Sequence, residues 1–70
     1  MLPEMTRSQF KTEFPDRLRR CRQRLKFTQA QLAEATGLTQ DWISHFECGR
    51  RMPDGYSMVR LFIVFGVEII

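Results

Sequence analysis

The first half of the chain carries apolar residues at helical spacing. The members of this stripe are four, three and four positions apart, which places them on one face of an α-helix whose other face is mostly arginine. They are Phe14, Leu18, Cys21 and Leu25. Pro15 fits the first turn of such a helix, because the N–H that proline lacks has no acceptor there. The pattern predicts a first helix over about residues 15–25, preceded by a flexible arm over residues 1–13.

Two short helices with a glycine between them come next. Thr28 and Gln31 form a capping-box pattern, and a segment rich in alanine follows, which predicts a helix over residues 29–36. Gly37 then stands where a chain leaving a helix commonly adopts a left-handed conformation.

The second short helix is predicted over residues 40–48. Thr39 can cap it, Gly49 ends it, and Ile43 and Phe46 form its buried side. Helices of eight and nine residues joined by a three-residue turn are typical of a helix-turn-helix. In that motif the second helix, the reading helix, projects and can enter a major groove about 12 Å wide.

A more apolar segment closes the chain. Asp54 can cap a helix over residues 55–65 that ends at Gly66. Its inward stripe is Met58, Leu61, Phe62 and Phe65. Because Arg60 is its only charge, this helix is either buried all round or meets another molecule. The β-branched residues here also permit a strand, which is the alternative interpretation.

Length and composition fit one small globular domain. A chain of 70 residues buries only about 60% of its unfolded surface, so its core is small. A hydrophobic fraction of 43% and a charged fraction of 27% argue against disorder. The longest apolar run, residues 61–67, is too short for a bilayer, which needs about twenty residues. Cys21 and Cys48 stand in no metal-ligand spacing and no secretory leader is apparent, which favours reduced cytoplasmic thiols over a disulfide.

Positive charge is concentrated in one segment. From Asp16 to Lys26, six basic residues accompany one acid, a local net charge of +5 in a chain whose formal net charge is +3, so the remainder carries −2. A basic stripe on a slightly acidic domain indicates phosphate binding through counterion release. The alternative is a solvated helix face with no ligand.

No complete catalytic site is visible in the sequence. The chain has one histidine, no paired carboxylates at a plausible pocket, no glycine-rich phosphate loop and no metal-ligand cluster. We therefore expect no enzymatic activity, no metal and no cofactor. RNA binding is an alternative for a basic helix, although no platform of stacking aromatic residues is present. Membrane-surface binding is disfavoured, because the apolar side of the first helix is needed for the core.

Residues 14–67 carry motif residues of a known family, in its order and spacing. They are Thr28, Gln29, Leu32, Ala33, Gly37, Ile43, Ser44, Glu47, Gly49, Arg51 and Pro53. On these residues the chain resembles the phage repressor and Cro family (the XRE family) of helix-turn-helix DNA-binding proteins. The resemblance implies an all-α, compact, lambda-repressor-like domain over residues 14–70, with four helices or with a truncated fifth. Two positions depart from the family pattern, since Phe62 replaces a small residue and Ile63 a polar one.

The resemblance also implies which residues contact double-stranded DNA. The expected base-reading residues are Gln40, Asp41, Ser44 and His45. The expected contacts to the DNA backbone are Gln29, Arg17, Arg20, Trp42, Arg50 and Arg51. The Gln40 amide can contact adenine in a bidentate manner, and a helix N-terminus such as that at Gln29 favours phosphate. Arg22 and Glu47 are expected to form a structural ion pair, the alternative being two unrelated surface charges.

Several of these residues have a second interpretation. Asp41 is repelled by phosphates unless it accepts from cytosine N4, and the helix dipole alone explains its presence. Ser44 is equally a bystander, and Trp42 can cover apolar surface instead of stacking on a sugar. Arg19 and Arg24 are interpreted as solvent-facing.

The end of the chain predicts a partner. Members of the family continue with a fifth helix where this chain ends at Ile70, which leaves apolar residues uncovered. The expected dimer or partner surface is Val59, Ile63, Val67, Ile69 and Ile70. We expect a Cro-like repressor, associated with the nucleoid in the cytoplasm of a bacterial or phage-infected cell. It would bind a pseudo-palindromic operator as a homodimer with reading helices about 34 Å apart. The alternative is an antitoxin-like interaction protein whose apolar C-terminal segment binds a partner protein, with DNA binding secondary.

Overall fold

The computed structural model describes residues 6–70, which form four α-helices and one short 3-10 helix. These are α1 (Arg7–Arg24), α2 (Gln29–Thr36), α3 (Gln40–Cys48), α4 (Gly55–Phe65) and the 3-10 helix η1 (Gly66–Ile69). The expected all-α fold is confirmed, and the strand alternative for the last segment is wrong. The bounds of α2, α3 and α4 are those that the sequence predicts. None of the described helices is long and apolar enough to span a membrane.

The first helix begins earlier than the sequence predicts. Thr6 caps it, because its Oγ1 accepts from the backbone N–H of Gln9 at 3.1 Å while the Oε1 of Gln9 accepts from the backbone N–H of Thr6 at 2.9 Å. Phe10 extends the apolar stripe by one turn, with its ring centroid 5.4 Å from that of Phe14. The predicted arm is therefore wrong from Arg7 onwards, and the part before Thr6 lies outside the described residues.

Two residues of α1 differ from their predicted placement. Pro15 lies inside the helix and not in its first turn, so the carbonyl four residues earlier lacks its usual donor. Its ring packs near the end of α3, where its Cγ lies 3.6 Å from the position of a Cβ built on Gly49. Leu25, expected to complete the apolar stripe, is the C-cap of α1 and is 46% exposed.

The helices enclose a small apolar core. Its buried members are Phe14, Leu18, Cys21, Leu32, Ala33, Ile43, Phe46, Leu61, Phe65 and Ile69. Every helix contributes at least one of them. Met58 is only partly buried, and Phe62, expected to point inwards from α4, is 42% exposed. One side of α4 therefore packs in the core while its other side remains open.

Gly66 turns the chain back onto α1 after α4. Its φ of 66° and ψ of −150° define a conformation that glycine adopts far more readily than any other residue. The turn carries Ile69 into the core with no exposed surface, so the prediction that Ile69 belongs to a partner surface is wrong. Glu68 meanwhile forms an exposed ion pair with Arg24 at 2.7 Å. The 3-10 helix thus covers the side of the core between α1 and α4.

Both cysteines are free thiols. Burial raises the pKa of the Cys21 thiol, and the nearby carboxylate of Glu68 raises it further, so this thiol stays neutral. Its Sγ donates weakly to the carbonyl of Glu68 at 3.5 Å. Within residues 6–70, no three His, Cys, Asp or Glu side chains are grouped to hold a metal ion.

Candidate nucleic-acid interface

The N-terminal half of α3 presents one exposed, polar face. Gln40 and Asp41 are exposed, and Ser44 and His45 are half-buried. Residues four positions apart lie above one another on a helix, so Gln40 with Ser44 and Asp41 with His45 form two neighbouring rows of predicted base-reading residues. The opposite face is buried and consists of Ile43, Phe46 and Glu47. The tip of α3 therefore projects from the domain and does not pack inside it.

Local capping fixes where α3 starts. Gly37 is the C-cap of α2 and adopts the left-handed conformation with a φ of 75°. The next helix, α3, begins three residues later. The Oγ1 of Thr39 accepts from the backbone N–H of Trp42 at 3.2 Å. Asp41 lies in the first turn, where the helix dipole favours a carboxylate. The helix dipole is thus a sufficient physical reason for Asp41, whatever it contacts outside the chain.

A buried ion pair joins α3 to α1. The guanidinium of Arg22 donates from Nε to Oε2 of Glu47 at 2.6 Å and from Nη2 to Oε1 at 3.0 Å. The two side chains are only 15% and 4% exposed, so this bidentate pair is shielded from water. Hydrogen bonding to Glu47 raises the pKa of Arg22 above its already high usual value, so the guanidinium remains charged. The expected pair therefore forms, and the alternative of two unrelated surface charges is wrong.

Gln29 completes the surroundings of the buried carboxylate. Its Nε2 donates to Oε1 of Glu47 at 3.2 Å, so a side chain expected on a phosphate is directed towards α3. Arg22 also donates from Nη1 to the carbonyl of Phe27 at 2.9 Å, just before α2. One buried point therefore ties α1, the start of α2 and the end of α3 together. The first backbone N–H groups of α2 lack acceptors within the helix, so these groups can donate to an anion at the N-terminus of α2.

Much of the basic stripe on α1 is engaged within the protein. Arg19 donates from Nη2 to the carbonyl of Glu47 at 2.9 Å, so it is not simply solvent-facing. Arg20 pairs with Asp16 at 2.6 Å, and the pair is exposed. Arg17 and Arg20, both expected on the DNA backbone, line a shallow cleft formed by α1 residues alone. That cleft is separate from the polar face of α3.

Trp42 of α3 and Arg51, just after it, form a stacked pair. The Cζ of Arg51 lies 5.0 Å from the centroid of the Trp42 ring, a cation–π contact. The same ring lies edge-on to His45, with centroids 6.1 Å apart, and 5.9 Å from the ring of Phe46. Trp42 is 41% exposed, so it covers apolar surface and also presents area to solvent. Arg50, the preceding residue, is exposed as well.

A groove of about 620 Å³ opens between α3 and the start of α4. Its lining includes Leu38, Thr39, Trp42, Arg51, Met52 and Tyr56. Asp54, at the start of α4, also borders the groove and accepts from the backbone N–H of Ser57 at 2.8 Å, which lowers the pKa of its carboxyl. The exposed face of α3 therefore has an aromatic and polar flank that continues to the N-terminus of α4.

Arg60 of α4 contacts the turn between α2 and α3, although the sequence did not assign it to the site. Its Nε donates to the carbonyl of Thr36, the last residue of α2, at 2.6 Å. Its isolation as the only charged residue of α4 was a signal in the sequence. The acceptor for Arg60 is a backbone carbonyl 24 positions earlier in the chain, and no sequence pattern identifies such a partner.

We expect Glu47→Ala to lower the free energy of unfolding by about 3 kcal/mol, because Arg22 would stay largely buried without a counter-charge. Urea denaturation followed by circular dichroism measures this change. Glu68→Ala is the matched control, since its pair with Arg24 is more than half exposed and should contribute less than about 1 kcal/mol. Equal losses in the two variants would contradict the central role of Glu47.

The fold and these contacts agree with what comparison with known proteins finds. A family model described as a helix-turn-helix domain matches residues 13–65. A curated relative, "Uncharacterized HTH-type transcriptional regulator YqaE" of Bacillus subtilis (strain 168), is 29% identical over 56 residues, which are 80% of this chain and 48% of that protein. The chain thus spans about half the length of this relative. Comparison with solved structures gives no significant match. Because the family model matches well over half of the chain, the protein belongs to the helix-turn-helix domain family.

Proposed function

We propose that this protein is a sequence-specific transcriptional regulator that binds double-stranded DNA as a homodimer and represses a promoter by occupying it. The exposed polar tip of α3 is the observation that carries the proposal. Base pairs present distinct patterns of donors and acceptors in the major groove, and a projecting helix with short polar side chains can read them. The family and the printed name of the Bacillus relative support the same role.

In this proposal the exposed face of α3 reads bases. Gln40 stands at the start of the helix, where its amide can accept from N6 and donate to N7 of an adenine. His45 lies one turn further on and reaches a base edge or a phosphate, and Ser44 is a short neutral contact. Asp41 would read cytosine through its N4 amino group, since a carboxylate is otherwise repelled by the DNA.

Contacts to phosphates position the reading helix and are made by its flanks. Arg51 carries charge on the exposed surface of Trp42, and Arg50 is exposed beside it. The N-terminus of α2 at Gln29 supplies backbone N–H groups, which favour anions together with the helix dipole. Arg17 and Arg20 lie on a separate part of α1, so they would meet the backbone outside the central contacts.

A dimer is proposed because one side of α4 and the turn after it are apolar and exposed. We call this set the apolar partner surface: Val59 (57% exposed), Ile63 (66%), Val67 (75%) and Ile70 (56%). Phe62, 42% exposed, extends it. The domain measures 32 × 24 × 21 Å, so two copies side by side can present two reading helices about 34 Å apart, one turn of DNA.

Selection of bound sequences from a random DNA pool is the experiment that tests the proposal. A regulator of this kind should enrich a pseudo-palindrome whose half-sites are one helical turn apart. Affinity for the enriched sequence, measured at two salt concentrations, then separates phosphate contacts from base contacts. Failure to bind any duplex at low ionic strength would end the proposal.

We expect Gln40→Ala to reduce discrimination at one base pair by about 1–3 kcal/mol, because the bidentate contact to adenine is lost. Binding of the enriched duplex and of duplexes changed at single positions measures this effect. Gln23→Ala is the matched control, since it removes the same amide from an exposed position on α1. Equal weakening on every duplex would show that Gln40 does not read a base.

Arg51→Ala should instead weaken binding to all duplexes alike. Loss of one phosphate contact should flatten the slope of log affinity against log salt concentration by about one unit. Fluorescence anisotropy across a salt series gives this slope. Arg24→Ala removes an equal charge that is paired with Glu68, and an equal flattening in that control would count against a specific clamp at Arg51.

Ile63→Lys should convert the dimer into a monomer, because it places a charge in the middle of the apolar partner surface. Size-exclusion chromatography with light scattering at micromolar concentration gives the mass. Leu25→Lys, at an exposed apolar position on α1, should leave the dimer intact. A wild-type protein that is strictly monomeric would refute the dimer. Tight co-purification of a different co-expressed protein through this surface would then favour the antitoxin-like alternative.

A further inference from the structure

The turn between α2 and α3 is held from outside by a side chain of α4. Thr36 is the last residue of α2. Its carbonyl is one of the last four of the helix, and these carbonyls receive no hydrogen bond from an N–H group within the helix. Arg60 donates to that carbonyl from Nε at 2.6 Å. A hydrogen bond from a charged donor is stronger than a neutral one, and a cation is favoured at a helix C-terminus. Within residues 6–70, this is the one side-chain hydrogen bond from α4 to either helix of the motif.

The guanidinium of Arg60 also lies against the glycine of the turn. A Cβ built on Gly37 would lie 3.4 Å from Nη2 and 3.8 Å from Nε of Arg60. On the other side of the turn, the hydroxyl of Thr36 donates to the carbonyl of Leu32 at 2.8 Å and accepts from the N–H of Leu38 at 3.3 Å. The backbone of the turn is therefore fixed from both sides.

The turn is the part of the molecule that sets the angle of the reading helix. Only three residues separate Thr36 from Gln40, so a small rotation at the end of α2 moves the tip of α3 directly. The far end of α3 is already fixed by Glu47, which leaves the turn as the point where the tilt is decided. Base readout depends on that tilt, whereas non-specific attraction to phosphates carries no sequence information.

We propose that Arg60 is a positioning residue for base readout, which holds the tilt of α3 through the Thr36 carbonyl and makes no contact with DNA itself. The inference rests on the proposed function of α3 as a reading helix. It assigns Arg60 a role different from that of Arg50 and Arg51, although all three carry the same charge. Arg60 is half-buried and points into the protein, whereas the other two are exposed.

Binding of the Arg60→Met variant to two duplexes tests the inference. We expect affinity for the enriched sequence to fall by about tenfold, the order expected for losing a hydrogen bond from a charged donor. Affinity for a random duplex and the salt slope should remain those of the wild type, because no phosphate contact is removed. Arg60→Lys keeps a charged donor and should recover part of the loss. Arg24→Met, which removes one exposed positive charge, should leave the ratio of the two affinities unchanged.

Amide hydrogen exchange supplies a readout that does not depend on DNA. In Arg60→Met the Leu38 amide should exchange faster, while amides of α1 around the buried Leu18 keep wild-type rates. Equal affinity losses on both duplexes, no loss on either, or loss of protection throughout the fold would each overturn the inference. If the wild-type protein bound neither duplex, the proposed function would be refuted, and the proposed role of Arg60 in base readout would be refuted with it. A selective wild type with an unaltered Arg60→Met variant would remove this inference alone.

Discussion

The geometry of the site depends on one buried carboxylate. Taking Glu47 out of water costs several kcal/mol unless donors surround it, and its donors come from α1 and from the start of α2. Burial of the far end of α3 is therefore favoured in the arrangement that brings Arg22 and Gln29 to Glu47. A buried pair of this kind adds little net stability compared with an apolar contact. What it does supply is a fixed relation between α1, α2 and α3, which the proposed role of α3 in reading bases requires.

Most arginines of α1 make contacts within the protein and are therefore less available to a ligand. The segment from Asp16 to Lys26 reads as a basic patch in the sequence, yet Arg19 and Arg22 bind the end of α3. Two further arginines of this segment are in exposed ion pairs. Arg50 and Arg51, which follow α3, are by contrast exposed. A count of charges along the sequence overstates the free positive charge of α1, because Glu47 and Glu68, which pair with Arg22 and Arg24, lie 25 and 44 positions further along the chain.

Local signals in the sequence were sufficient for the helix-turn-helix and insufficient for what surrounds it. Capping boxes and left-handed glycines act within four residues, so the limits of α2, α3 and α4 could be read directly. Thr6 and Gln9 form the same kind of capping box at the start of α1, whereas the sequence analysis starts this helix at Pro15, which lies inside it. The contact of Arg60 with α2 and the burial of Ile69 could not be predicted. Both depend on how α4 and the turn at Gly66 fold back in three dimensions.

The proposed DNA-reading face and the apolar partner surface are built on the same core. Leu61 and Phe65 of α4 are buried in the protomer, while Val59 and Ile63 on the same helix are exposed. A core of this size gives a domain modest stability, so covering the apolar partner surface with a second copy would stabilise the fold by mass action. The same association would place two reading tips on one face of a duplex. Folding, dimerisation and operator binding would then strengthen one another, since each favours the arrangement in which α4 is covered and α3 is held at a fixed tilt.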